Sequence, residues 1–316
     1  MINQNHSALF NPTQQLFNYN KINIILDIDL TLIDSIYDTN TITSIKQVFH
    51  KYNDAHKFTV LNHQFAMLER PFSHRILEQL SYFANIYIIT QAHSEYAQKI
   101  ITYLDPKNKY VKKMISRGNE SFDKKSIKML YSNISEIENT LIIDDQVGVW
   151  EGSNQMKVLH CAKFDPFFQF LNKKHLMTEY EFYYSDATGK GIVRLSLSQF
   201  NPFENNISKS GHLAILVRQL RSMYLEYMLK DFASIQSVYQ NRLHKILDGC
   251  SFNFIHNVDK PVVDSVSHII WTLGGKLDIC GSSIVLGRIT GYVDVYYPAY
   301  CYMYLTKLDA KRYIIK

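Results

Sequence analysis

The chain has 316 residues, 46% of them apolar, and a formal charge of +5, enough for one large domain or two moderate ones. Its longest apolar runs, such as Ile22–Leu26 and Ile86–Ile89, fall far short of the roughly 20 residues needed to cross a bilayer as a helix. Cys161, Cys250, Cys280 and Cys301 lack CxxC spacing, which argues against a zinc site and a disulfide framework and fits a reducing compartment. In chain order, residues 1–20 read as an N-terminal tail with neither the basic start nor the apolar stretch of a secretory signal. Residues 21–165 alternate short apolar strands (Ile22–Ile28, Ile86–Thr90, Leu141–Ile143, Lys157–His160) with helices near Phe72–Phe83, Glu95–Leu104 and Ser126–Tyr131. That pattern predicts an α/β fold, a parallel sheet covered on both faces. Residues 166–246 read as an irregular, aromatic and then helical bridge, with a hairpin around Asp186–Gly191 and an amphipathic helical stretch over 208–247. Residues 247–316 begin a new small α/β unit: a strand at "LDGCSFNFIH", a helix over Pro261–Leu273, Gly274-Gly275, short strands at Lys276–Ile279 and Ser283–Leu286, and a strand-helix over Tyr292–Leu308.

Ligand sites in open parallel sheets lie beyond the carboxyl ends of the strands. Those ends read Asp27-Ile28-Asp29, Thr90 and Asp144-Asp145, so three strands deliver four carboxylates and a hydroxyl to one edge. Burying carboxylates is costly unless something pairs with them. Two on one site suit a division of labour between nucleophile and general acid–base. A hard cation such as Mg²⁺, held by carboxylates and water, would neutralise them and hold a phosphate oxygen. The plain alternative for DxDxT is a turn or helix cap.

"ILDIDLTLIDS" resembles the first motif of the haloacid dehalogenase superfamily of phosphohydrolases, "YIIT" the second and "LIIDD" the fourth. The closer resemblance is to the phosphatases of the RNA polymerase II carboxy-terminal domain. It is carried by Arg70-Pro71, Tyr96-Ala97, Leu104-Asp105-Pro106, Ser116-Arg117, Lys125-Ser126-Ile127 and "DDQVGVW" from Asp144 to Trp150. The resemblance covers residues 20–165 and implies a Mg²⁺-dependent phosphoserine protein phosphatase acting in the nucleus on the polymerase tail. It implies Asp27 as nucleophile, Asp29 as acid and base, Thr90 as a hydrogen-bond donor to the phosphoryl group and Lys125 as its charge partner, with Lys124 the neighbouring alternative. It implies metal ligation by Asp27, the backbone carbonyl of Asp29 and Asp145, with Asp144 in support. The chain departs from the family pattern at Phe72 (for glycine), Ser94 and Gln146 (for arginine), and Gly118 and Gly148 (for acids), all at the rim.

Residues 107–128 carry seven lysines and Arg117, a positive margin for a multiply phosphorylated peptide or simply a solvated face. The segment 247–316 resembles a BRCT domain through its first strand, "LGG" and "VYYPAYCYMYL", with Tyr300 where that family has tryptophan and little room between Leu286 and Tyr292 for its second helix. This unit could dock transcription-machinery proteins. Neither a membrane nor direct nucleic-acid contact is expected. Two further readings remain: a phosphatase of the same superfamily with another phosphoprotein or a small phosphate ester as substrate, and a phosphopeptide-binding protein with a degenerate phosphatase fold.

Overall fold

The apolar run Ile22–Leu26 (β1) is completely buried and runs through the middle of a five-stranded sheet. The computed structural model describes residues 21–37, 56–118, 122–167, 177–198, 211–278 and 283–315. The expected tail (1–20) and Cys280 lie outside them. Following β1 come β2 (Ile33–Tyr37), β3 (His56–Val60), β4 (His63–Glu69), α1 (Ser73–Ser81), β5 (Ala84–His93), α2 (Ser94–Leu104) and β6 (Val111–Arg117). Then come α3 (Ile134–Glu138), β7 (Thr140–Asp144), α4 (Gly152–Gln155) and β8 (Val158–His160). The main sheet has the order β6-β5-β1-β7-β8, and every neighbouring pair is parallel.

Because β-strand side chains alternate between faces, Ile24 and Leu26 join the larger apolar cluster while Ile25 joins a second one with Ile89, Ile142 and Trp150. Both faces are therefore covered, as a parallel sheet requires. Strand register then sets the site. Leu26 pairs with Ile88 on one side and Ile143 on the other, so Asp27 emerges level with Ile89-Thr90 and with Asp144.

Three features differ from the sequence reading. An edge strand, β6, lies where none was expected; Lys112 and Lys113 on it are exposed, and lysines are tolerated at a sheet edge. The expected helix at Ser126–Tyr131 is one 3₁₀ turn, Ile127–Met129. Residues 33–37 and 56–69 contribute a separate antiparallel sheet of order β2-β4-β3, whose β3–β4 turn places Leu61 and Asn62 at φ 49° and 66°.

The hairpin is longer than expected: β9 (Met177–Asp186) and β10 (Gly189–Ser198) pair along their whole length. The helical stretch divides into α5 (Gly211–Leu229) and α6 (Ile235–Leu243). The break is local: Ser234 and Ser237 form a reciprocal capping box that starts α6. The C-terminal unit has a parallel sheet of order β12-β11-β13-β14, formed by Lys276–Leu277, Ser251–Phe254, Ile284–Gly287 and Val293–Asp294 respectively, with α7 (Lys260–Thr272) and α8 (Tyr297–Tyr304). No helix lies among the described residues between β13 and β14. Gly274 takes φ +82°, and a Cβ there would lie 1.7 Å from the His244 carbonyl oxygen, so only glycine lets this turn meet the end of α6.

One apolar cluster runs from β1 through the hairpin and α5 to Tyr313. Polar contacts reinforce it. The Ser185 N–H donates to Thr272 Oγ1 at 3.1 Å, and His268 Nδ1 lies 2.8 Å from Asp186 Oδ2. Buried His212 accepts from the Ala162 N–H on Nδ1 (3.0 Å), so its Nε2 carries the proton given to the Met303 carbonyl (2.9 Å).

Candidate active site at the sheet edge

Immediately after β1 the chain turns tightly. The Leu32 and Ile33 N–H groups both return to the Ile28 carbonyl, and Leu30 is held at φ 61°, a backbone conformation unfavourable for a residue with a Cβ. Thr31, fully buried, ties this turn to the end of β7: its hydroxyl accepts from the Asp145 N–H at 3.1 Å and lies 3.4 Å from Asp145 Oδ1. Buried Arg70 ties it to the end of β8, donating to the carbonyls of Thr31 (3.3 Å) and Ala162 (2.6 Å) and to Cys161 Sγ (3.1 Å).

The result is a cavity of about 250 Å³ whose walls include Asp27, Asp29, Thr90, Lys125, Asp144 and Asp145. Every site residue named from the sequence reaches it. Lys125 Nζ lies 2.6 Å from Asp27 Oδ1 and 2.8 Å from Asp144 Oδ2. Burial works against its charge, but those carboxylates outweigh burial and raise its pKa, so it stays protonated. Lys124 points elsewhere, to the Gly148 carbonyl, which separates the two neighbouring lysines. Thr90 is buried and accepts from the Ala92 N–H at 3.1 Å, leaving its hydroxyl proton to be donated.

Asp27, Asp144 and Asp145 form an acidic group whose potential ligand atoms all lie within 4.8 Å of one another. Their states differ. Asp144 is fully engaged, accepting from Lys125 and from Trp150 Nε1 (2.9 Å) on Oδ2 and from the Gln146 N–H (2.8 Å) on Oδ1. Asp145 Oδ2 is buried with no partner. Burial, reinforced by the Asp144 charge, pushes Asp145 up to about 7. Burial likewise raises Asp27 well above the usual range, with Lys125 pulling it back. An unpartnered buried oxygen on one of two neighbouring raised carboxylates is the electrostatic signature of a site suited to a cation. The Asp29 carboxylate lies outside this group. Tyr96 donates to its Oδ1 at 2.6 Å, and because that bond uses the phenol proton, Ser35 donates in turn to Tyr96 (2.6 Å). Burial raises Asp29 while the Tyr96 bond lowers it; burial prevails.

Trp150, Tyr96, Thr31 and Arg70 carry contacts for which the sequence reading assigned no role. Tyr96, Trp150 and Arg70 stood within recognised motifs; Thr31 was the threonine of DxDxT. The rim departures fall in distinct places. Gln146 lines the cavity. Phe72 adopts φ 83°, the left-handed conformation that glycine takes without strain.

Residues 22–187 match the family of NLI interacting factor-like phosphatases, just over half of the chain. The chain belongs to this family. RNA polymerase II C-terminal domain phosphatase-like 3 of Arabidopsis thaliana is 21% identical over 272 residues, 81% of this chain and 20% of its own length. An RNA polymerase II C-terminal domain phosphatase of Encephalitozoon cuniculi is 25% identical over 133 residues, 42% of this chain and 29% of its own length. The chain thus spans less than a third of either curated relative. The solved structure of Fcp1, an essential RNA polymerase II CTD phosphatase, superposes with a TM-score of 0.64 at 14% identity, covering 96% of this chain and 99% of that one. A fission yeast Fcp1 variant bound to beryllium fluoride gives 0.62 at 15% identity, covering 96% and 98%. At these identities the likeness is one of fold. It agrees with the expected parallel α/β sheet followed by a distinct C-terminal α/β unit.

Proposed function

We propose that this chain is a Mg²⁺-dependent phosphoserine protein phosphatase that works through an aspartyl-phosphate and acts on the repeat tail of RNA polymerase II in the nucleus. The observation that carries the reading is the convergence of Asp27, Asp29, Thr90, Lys125 and Asp145 on one open cavity. An Asp27 carboxylate oxygen attacks phosphorus, the bond to the serine oxygen breaks, and Asp29 gives that oxygen its proton. Asp29 then takes a proton from the water that hydrolyses the acyl phosphate. Tyr96 occupies Oδ1 of Asp29, which leaves Oδ2 for the transferred proton. Lys125 and Thr90 place a positive charge and a hydroxyl where charge spreads over the equatorial phosphoryl oxygens.

Asp27 and Asp145 suit a small hard cation, with Asp144 in support and the Asp29 carbonyl completing the set; Mg²⁺ would neutralise phosphoryl charge. The phosphoprotein substrate is favoured by the exposed cations of β6, which is one of the two outer strands and ends at the catalytic edge with Arg117 in register with His93. Among the described residues, Lys112, Lys113 and Arg117 have no carboxylate within ion-pair distance. Such a margin speeds encounter with a multiply phosphorylated peptide. Residues 247–316 are read as a BRCT-like unit that docks transcription proteins, on the strength of their parallel sheet and Gly274-Gly275 turn.

The test is phosphate release from a doubly phosphorylated tail peptide, an unrelated phosphoserine peptide and a small aryl phosphate. Preference for the tail peptide supports the full proposal. Equal turnover of both peptides would keep the phosphatase and reject its substrate.

A further inference from the structure

Through Glu181 the hairpin β9–β10 hydrogen-bonds to Gly148, which lies between the cavity-lining residues Gln146 and Val149. Glu181 Oε2 accepts the Gly148 N–H at 2.5 Å, and its other oxygen pairs with Arg194 Nε at 2.9 Å across the hairpin. On the far side of the same residue, the Gly148 carbonyl accepts from Lys124 Nζ. Gly148 is therefore gripped by an anion on its N–H and a cation on its C=O, the sign that suits each group. A Cβ on Gly148 would lie 2.7 Å from Glu181 Oε2 and 3.1 Å from Oε1. The glycine serves close approach rather than an unusual φ, since its backbone is not in the left-handed region.

What this grip holds is the frame of Lys125. The Lys125 N–H donates to the Val149 carbonyl at 2.8 Å, and the Lys125 carbonyl accepts from the Glu151 N–H at 2.9 Å. Between those two anchors, Trp150 Nε1 donates to Asp144, and its ring lies 5.5 Å from the Lys125 ammonium. The segment 148–151 thus sets both the backbone of Lys125 and the carboxylate that shares its charge. Trp150 also shares an apolar cluster with Tyr183 of the hairpin, and the Glu181–Gly148 hydrogen bond spans 33 residues of sequence.

We infer that Glu181 is a positioning residue for Lys125, acting through Gly148, and that the hairpin is in this sense part of the catalytic apparatus. The inference rests on the phosphatase reading above. Sub-ångström placement of a charge on the phosphoryl group matters because catalytic electrostatics are preorganised.

The experiment is a double-mutant cycle on the full chain with a small aryl phosphate, which touches no distant surface. Glu181→Ala is expected to lower kcat about tenfold with KM little changed and with a melting temperature close to wild type. Glu181→Gln, whose amide oxygen can still accept the Gly148 N–H, should restore most of that loss. Gly148→Ala should be impaired in the wild-type background, yet add nothing in the Glu181→Ala background, where the new methyl has room. Unchanged kcat in Glu181→Ala overturns the inference. So do additive effects of the two substitutions, loss in Glu181→Gln as deep as in Glu181→Ala, or losses that track the melting temperature. A wild-type protein without any turnover would overturn the phosphatase reading and this inference with it, whereas an active wild type with an indifferent Glu181 rejects this inference alone.

Discussion

The catalytic edge and the C-terminal unit both bury polar groups, and they do so to opposite ends. At the edge, Asp27, Lys125, Asp144 and Asp145 are only 1–5% exposed, yet they converge on an open cavity and leave Asp145 Oδ2 without a partner. In the C-terminal unit, α8 buries all eight of its residues, four of them tyrosines. At the start of this helix two hydroxyls close on the protein itself. Tyr297 gives its hydroxyl proton to the Leu308 carbonyl at 2.6 Å, and Tyr296 accepts from Arg288. Polar burial that satisfies itself holds a fold together, whereas polar burial that keeps bonding capacity in reserve is arranged for a ligand.

The sharpest way to break the comparison is to remove one charge from the edge without changing its volume. Asp27→Asn should lower turnover at least about a thousandfold, because the proposed nucleophile is lost while little else changes. Its melting temperature should stay close to wild type, since Lys125 keeps Asp144 as its charge partner while the repulsion between Asp27 and the Asp144 and Asp145 carboxylates is relieved. Phosphate release and a melting curve on the same sample decide it; activity above a few percent of wild type would reject the assigned mechanism.

Metal removal comes next. Excess EDTA should abolish phosphate release and Mg²⁺ should restore it, while Ca²⁺ should inhibit because its larger, looser shell misplaces the phosphoryl group. Mg²⁺ should also raise the melting temperature, as any ligand of the native state does, and Asp145→Asn should remove that rise. Full activity in EDTA would break the claim that the edge holds its bonding capacity for a cation.

Removing residues 247–316 tests the other half. That unit shares one apolar cluster with the hairpin and α5, and grips the hairpin through His268–Asp186 and Thr272–Ser185. The truncated chain should melt well below wild type, expose apolar residues that the unit covers, such as Phe182 packed on Tyr302, and lose activity on aryl phosphate and long peptide together. Selective loss on the long peptide, with an unchanged melting curve, would show instead a substrate-docking module.

How much of this was legible beforehand follows from how far each feature reaches along the chain. Asp27, Asp29, Thr90 and the Asp144-Asp145 pair stand at ends of apolar runs, and the strand-end rule needs nothing beyond that local pattern. Lys125 and Lys124 differ only in which way the backbone turns, so their separation needed coordinates. Strand β6 was hidden because an edge strand tolerates lysines that read as loop. The division of α5 from α6 turns on two serines, whose capping role is invisible against a long amphipathic pattern. The Tyr96–Asp29 and Glu181–Gly148 contacts span 67 and 33 residues, and no local periodicity encodes such meetings.

The finest test concerns a carboxylate that the comparison must place on one side or the other. Asp34 is only 5% exposed and close to the edge, yet it does not line the cavity. Its Oδ2 accepts the Phe167 N–H at 2.9 Å, which puts it among the self-satisfied groups. Burial pushes it up to about 7 from an ordinary 3.8, against the pull of that hydrogen bond. The folded protein therefore keeps the proton between about pH 4 and 7, where the unfolded chain has released it. Stability from this group is complete below about pH 4 and is lost as pH rises through about 7. Asp34→Asn imitates the protonated acid at every pH, retaining an acceptor for Phe167. Measured side by side, the wild-type melting temperature should fall relative to the variant from about pH 4 to about 7, and the gap should be constant above that. Turnover of an aryl phosphate at neutral pH should be the same in both. A gap that opens toward acid would mean that Asp34 is ionised and paired in the fold, and a large loss of turnover in the variant would move it to the catalytic side of the comparison.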